Sequence, residues 1–183
     1  MKNILVIVDA QNDFVTGVLG SDEAVNCIPN IVKKIKEFNN GLIITTQDTH
    51  DANYLISKEG EFLPVEHCIE NTNGWGININ IASSIVNKVA TDSSVKFDGV
   101  KKPTFGSTDL MNVIKNYVGD EEFNITFVGF CTDICVISNV LMAKALFFDK
   151  ATIFVDENCC AGVTPEKHNA AISVMRSCQI NII

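Results

Sequence analysis

Cys135 closes a segment, Asn124-Ile-Thr-Phe-Val-Gly-Phe-Cys-Thr-Asp-Ile-Cys135, whose residue types suit covalent chemistry. The apolar run Ile125–Val128 reads as a buried strand and Gly129 as a turn. A helical pattern then starts near Thr132 or Asp133 and continues to about Phe148. A cysteine in the first turn of a helix, just past the carboxyl end of a strand, is a candidate nucleophile. Unpaired N–H groups and the positive helix terminus favour a thiolate there, and they offer donors to a developing oxyanion. Taken alone, Cys135 could equally be a small buried filler.

Other chemically loaded positions share its context. Asp9 closes the first apolar run, Asp48 and His50 follow the second, and Lys102 follows a weaker third. A carboxylate whose pKa is raised by burial can accept the thiol proton, and a neighbouring ammonium favours thiolate and carboxylate together. Asp48-x-His50 with His67 supplies ligand types for a divalent metal such as zinc, with positions left open for water or substrate. Glu59, in the same loop, is a candidate outer or water-mediated partner of that set. His168 is the obvious base for an ordinary Cys–His pair. It falls inside the helical pattern PEKHNAAISVM, away from any strand end, so a structural role is favoured.

The elements that must position these residues alternate. Strands are expected at Asn3–Val8, Leu42–Thr46, Gly99–Lys102 (the weak one), Ile125–Val128, Thr152–Val155 and Gln179–Ile183. Helical patterns cover Glu23–Phe38, Ile79–Val89, Ser107–Val118, Asp133–Phe148 and Pro165–Cys178. This alternation predicts an α/β fold: one doubly wound domain over residues 1–183, with a mostly parallel six-stranded sheet and helices on both faces. In such sheets ligands bind outside the carboxyl ends of the strands, near the point where strand order reverses. Asp9, Asp48, Lys102 and Cys135 all fall at such ends. The stretch from Asp48 to about Asn80 has little periodicity, and loops of that length are usually functional or disordered. It holds two of the three histidines, which favours function.

Composition narrows the partners. A chain of 183 residues with 46% hydrophobic and 20% charged content needs no staples for its core. The net charge of −8 and the absence of a basic stripe argue against a nucleic-acid partner, and Arg176 is the only arginine available to fork a carboxylate. The apolar stretch before Asp9 is too short for a signal core, and no window reaches membrane length. Seven scattered cysteines then point to a reduced, cytoplasmic setting. Cys131 and Cys135 are spaced as neither a zinc ribbon nor a C-x-x-C redox pair, and the vicinal Cys159–Cys160 reads as packing. A homo-oligomer is expected.

VIVDAQNDF, KKPTFGSTDL and VGFCTDICV, in that order and spacing, resemble three segments of the isochorismatase-like cysteine hydrolases, the nicotinamidases most of all. The resemblance covers nearly the whole chain. It implies a triad of Asp9, Lys102 and Cys135, with Lys102 rather than Lys101 fitting the pattern three residues before Phe105. It also implies a cis peptide between Phe130 and Cys131, with the N–H groups of Cys131 and Cys135 directed at the oxyanion. Asp48, His50 and His67 resemble the set that holds a metal, zinc foremost, against the pyridine nitrogen of nicotinamide. Phe14 resembles the aromatic that stacks on the substrate ring, although ordinary core packing would also account for it. Pro64 stands where some relatives carry an aromatic residue, and Trp75, further along, is the candidate wall. The expected reaction is hydrolysis of nicotinamide, a small-molecule amide, to nicotinate and ammonia through a thioester. Another small amide, carbamoyl or vinyl-ether substrate is the alternative within the class. A non-catalytic metal or small-molecule binder is the alternative outside it, and the absence of G-x-G-x-x-G or a P-loop counts against nucleotide binding.

Overall fold

Five consecutive apolar residues, Ile4 to Val8, are fully buried because both faces of their strand are covered by helices. The computed structural model describes residues 1–183. Its elements are β1 (Lys2–Val8), α1 (Asn12–Val15), α2 (Asp22–Glu37), β2 (Gly41–Asp48), α3 (Lys58–Phe62), α4 (Ile79–Thr91), β3 (Val95–Lys102), α5 (Thr108–Val118), β4 (Phe123–Phe130), α6 (Ile137–Phe147), β5 (Ala151–Ala161), α7 (Pro165–Ser177) and β6 (Asn181–Ile182). A 3-10 turn at Tyr54–Ile56 and a π-helical turn at Thr132–Val136 complete the set.

The sheet order is β3-β2-β1-β4-β5-β6, and every pairing is parallel. Alternate side chains of β1 enter different cores, as the two-residue period requires. Ile4, Val6 and Val8 pack with apolar residues of α5, α6 and α7, whereas Leu5 and Ile7 pack with those of α1, α2 and α4. Right-handed crossovers produce this division, because the order runs outward from β1 in one direction and from β4 in the other. The reversal lies between β1 and β4. Helix starts follow local chemistry. The hydroxyls of Ser21, Ser107 and Thr164 accept from Ala24, Leu110 and Lys167 N–H, and Pro165 occupies the first turn of α7.

Most expected elements lie where the periodicity put them; β6 keeps only Asn181–Ile182 of the expected Gln179–Ile183, and three others differ in kind or extent. β3 begins at Val95, four residues before the expected start, because its solvent-facing residues masked the strand pattern. β5 runs on to Ala161 because a bulge lets its polar middle leave the ladder: Phe127 pairs with Val155, and Gly129 next pairs with Cys160. The helix after β4 opens with a π turn, in which Val136 N–H reaches Cys131 O at 3.0 Å. The Phe130–Cys131 peptide is cis, as the resemblance implied. No helix is long and apolar enough to cross a membrane.

Gly129 sits at the β1–β4 reversal with φ +114°, a region closed to L side chains, and a Cβ there would run into the Val8 carbonyl. Gly129→Ala should therefore destabilise the protein by at least ~3 kcal/mol, read as a fall in Tm and in denaturant midpoint.

Candidate active site

Four neighbouring strands deliver one chemical group each to the same edge of the sheet. In spatial order these are Lys102 at the end of β3, Asp48 at the end of β2, Asp9 just past β1, and Cys135 in the π turn after β4. Asp9 turns the chain with φ 45°, a conformation that aspartate tolerates better than most residues. Its N–H is held by the carbonyl (3.2 Å) and the hydroxyl oxygen (3.1 Å) of Thr46. The Thr46 hydroxyl also donates to Asp9 Oδ1 at 2.7 Å. Asp48 is held through its backbone by the buried side chain of Gln11. Asp48 N–H donates to Gln11 Oε1 (2.7 Å), and Gln11 Nε2 donates to Asp48 O (2.9 Å).

Lys102 Nζ lies at the centre of this edge. It is 2.7 Å from Asp9 Oδ2, 3.1 Å from Thr104 O, 3.4 Å from Asp48 Oδ1 and 3.5 Å from Cys135 Sγ. Both Lys102 and Asp9 are 0% exposed. The ammonium of Lys102 pairs with Asp9 Oδ2, while the Thr46 hydroxyl serves Oδ1. Burial drives the Asp9 carboxyl above its usual range despite the opposing charge of Lys102. Burial also raises the Cys135 thiol well above the usual cysteine value, with the Asp9 charge adding to it. For Lys102, burial would favour the neutral amine. The charges of Asp9, Cys135 and Asp48 reverse this and hold the group protonated, above the ordinary lysine range. Lys101, next in the chain, is exposed and pairs with Glu70 at 2.6 Å.

Beside this cluster, one donor atom each from Asp48, His50, Glu59 and His67 lies within 4.8 Å of the others. Asp48 Oδ2 is 3.1 Å from His50 Nε2 and 3.4 Å from His67 Nε2. Glu59 Oε1 is 3.7 Å and 3.9 Å from the same two nitrogens. Donors about 2.0–2.2 Å from a tetrahedral zinc stand about 3.3–3.6 Å apart, so this spacing suits a single ion. His67 Nδ1 lies 2.8 Å from Val65 O, which can only accept. Nδ1 therefore carries a proton, and Nε2, which faces Asp48 and Glu59, is the nitrogen that would give up its own proton to bind a metal. Burial opposes the charged form of Asp48, but hydrogen bonds from the two histidines and the charge of Lys102 outweigh it and hold the carboxyl below its usual range.

Both clusters reach a cavity of about 330 Å³, with Asp9, Lys102 and His50 set behind its surface and an apolar wall that includes Phe14, Phe62, Leu63, Phe105 and Ile134. Cys135 lines it, as do Asp48, Glu59 and His67. Phe14 is present in the wall and meets the His67 ring edge-on at 5.7 Å between centroids. Trp75 does not line the cavity. Backbone bonds from Asn12 and Asp13 N–H to Gly76 and Gly74 O pin its segment outward. There the indole donates to Thr49 Oγ1 at 2.9 Å and lies 5.0 Å from Lys101 Nζ. The backbone N–H of Cys131 finds no acceptor in the main chain, and the carbonyl of Cys131 is used by Ile134 and Val136, passing over Cys135.

His168 is closer to this edge than its helical context implied, since its Nδ1 lies 2.9 Å from Thr132 Oγ1 in the π turn. It bonds the turn and not the thiol. Sequence reading missed Thr46, Gln11, Tyr54 and Asn139. Tyr54 is buried with its ring 4.7 Å from that of His50 and 4.9 Å from that of His67, and its hydroxyl donates to Leu63 O. The one available signal was an isolated polar pair in an apolar context, as Ser138-Asn139 is in VISNVLMAKALFF.

Solved structures with this architecture carry informative names. A nicotinamidase/pyrazinamidase from Bacillus subtilis superimposes with a TM-score of 0.81 at 22% identity, covering 100% of this chain and 99% of that one. A pyrazinamidase from Pyrococcus horikoshii in complex with zinc gives 0.79 at 23%, covering 100% and 99%. The yeast nicotinamidase bound to the inhibitor nicotinaldehyde gives 0.76 at 18%, covering 99% of each. None of the curated proteins matches the sequence. At these identities the superpositions speak for the fold, whereas the sequence itself matches the family described as Isochorismatase domain over residues 3–183. Because that match runs from the first turn of β1 to the last residue, the chain belongs to the isochorismatase family and is a hydrolase.

Proposed function

We propose that the protein hydrolyses nicotinamide to nicotinate and ammonia through a thioester on Cys135. The observation that carries this reading is the shared cavity: the thiol of a buried thiol–carboxylate–ammonium cluster and three of the four metal donors, Asp48, Glu59 and His67, line one small, largely apolar space. The names of the superimposable structures support it, and a cavity of this size suits a small ring.

The chemistry follows from the charges. With Lys102 an ammonium and Asp9 a carboxylate, moving the thiol proton to Asp9 changes no net charge in the buried site. Burial raises the proton affinity of Asp9 and so makes it a better acceptor, while the Lys102 ammonium beside the sulfur favours the thiolate that forms. The thiolate, 3.5 Å from Lys102 Nζ, attacks the amide carbonyl, and the N–H groups of Cys131 and Cys135 receive the oxyanion. Asp9 returns its proton to the departing nitrogen and ammonia leaves. Asp9 then takes a proton from water, which opens the thioester to nicotinate. A divalent ion bound by Asp48, His50 and His67, with Glu59 as a further donor, would act as a Lewis acid that fixes a pyridine nitrogen. Phe14 walls the ring.

Ammonia release from nicotinamide tests the reading directly. Cys135→Ala should abolish turnover with the fold retained by circular dichroism. Asp9→Asn and Lys102→Met should each cost several orders of magnitude in kcat per folded molecule, far from additively, while Lys101→Ala stays near wild type. Wild-type rates in folded Cys135→Ala would end the proposal.

The acid limb of kcat/KM reports Asp9. Activity needs the carboxylate, so a raised pKa means activity is lost on acidification at a pH above the unperturbed 3.8. Thr46→Val deletes a donor to the charged form and should move that limb to higher pH by about one unit. An unmoved limb would show that the Thr46 hydroxyl does not tune this carboxylate.

Metal removal should act mainly on binding. Chelation or His50→Ala should raise KM for nicotinamide by at least ~10-fold and change turnover of benzamide, which lacks the ring nitrogen, much less. Equal losses for the two amides would point away from a metal–pyridine contact.

A further inference from the structure

Asn139 on α6 is 0% exposed, and its polar atoms are all engaged in joining two segments that carry reactive groups. Its Oδ1 accepts from Ser107 N–H at 3.0 Å, while Nδ2 donates to Phe105 O at 3.1 Å and to Cys135 O at 2.8 Å. An amide nitrogen has two hydrogens, and both are used here. The first two bonds hold the loop that follows Lys102, and the third holds the backbone of the nucleophile.

That join is not duplicated by the sheet. β3 and β4 are separated by β2 and β1, so no ladder hydrogen bond fixes the distance between Lys102 and Cys135. A closed circuit does so instead. Lys102 Nζ reaches Cys135 Sγ at 3.5 Å and Thr104 O at 3.1 Å; the next residue, Phe105, is tied to Asn139, which returns to Cys135. The π turn makes room for this arrangement. Its i→i+5 bonding passes over Cys135, and side chains one turn later serve its carbonyls, with Ser138 donating to Ile134 O at 2.6 Å and Asn139 to Cys135 O. We propose that Asn139 is a positioning residue that sets the Lys102–Cys135 contact and through it the reactivity of the thiol. The proposal rests on Cys135 being the nucleophile, but not on the identity of the amide.

Two variants separate the bonds. Asn139→Ala removes all three. Asn139→Thr can still donate to the carbonyl four residues back, which is Cys135 O, but loses the loop. The main readout is the rate of Cys135 alkylation by iodoacetamide at neutral pH, mapped by peptide mass on the native fraction. Both variants should be alkylated about 10-fold more slowly, and kcat should fall ~10–100-fold with KM within about 3-fold of wild type. Folded variants alkylated at the wild-type rate would overturn the proposal whatever their Tm, as would failure of both to fold, which would make Asn139 a residue of the fold alone. Because alkylation needs no substrate, a protein that ignores nicotinamide would still decide this point. Retained turnover in Cys135→Ala would instead strike the nucleophile assignment.

Discussion

The ion pair between Lys102 and Asp9 places an ammonium and a carboxylate, both without solvent contact, at the reversal point of a parallel sheet. Burying two charges costs several kcal/mol per ion unless geometry and further hydrogen bonds restore it. The surrounding structure supplies those contacts. Thr46 serves one Asp9 oxygen, Thr104 O and Asp48 take up the remaining capacity of the ammonium, and the thiol closes the ring. Removing either charge would strand the other, so the sheet edge is specified as a unit. The same burial that makes the pair expensive raises the proton affinity of Asp9 and Cys135 together.

Strands and helices were legible where apolar residues recur with the period of their element. β1 and the apolar stripe of α2, Ala24, Cys27, Ile28, Ile31 and Ile35, are clear cases. The extension of β5 was not, because Asp156, Glu157 and Asn158 read as a loop until the bulge explains how polar residues sit within a strand. The π turn was not, because one extra residue in a turn leaves no trace in hydrophobic spacing. The four groups that meet at the sheet edge were readable as polar residues at strand ends, which is where an open parallel sheet gathers its ligands.

Residues that act by hydrogen bonding across the fold escaped that reading. Gln11 and Asn139 have no periodicity to announce them, and their meaning lies in partners at positions 48, 105, 107 and 135. Trp75 illustrates the opposite error. An aromatic residue in a functional loop was expected to face the cavity, yet the segment around it is fixed by backbone bonds to α1 that turn the ring away. His168 shows that a place inside a helix does not keep a side chain from the sheet edge, since α7 packs directly over the π turn after β4.

Asp48 divides its carboxylate, with Oδ1 toward Lys102 and Oδ2 toward the two histidines. His50, Glu59 and His67 all belong to the segment after β2, whereas Asp48 is the last residue of the strand itself. The loop could thus be exchanged as a module without disturbing the thiol, the ammonium or Asp9, but the graft would not carry Asp48. Whatever sequence replaces the loop inherits one donor already committed on its other side to the lysine. Diversification of the pocket is therefore tethered at one shared carboxylate, as well as where the loop is bonded to α1.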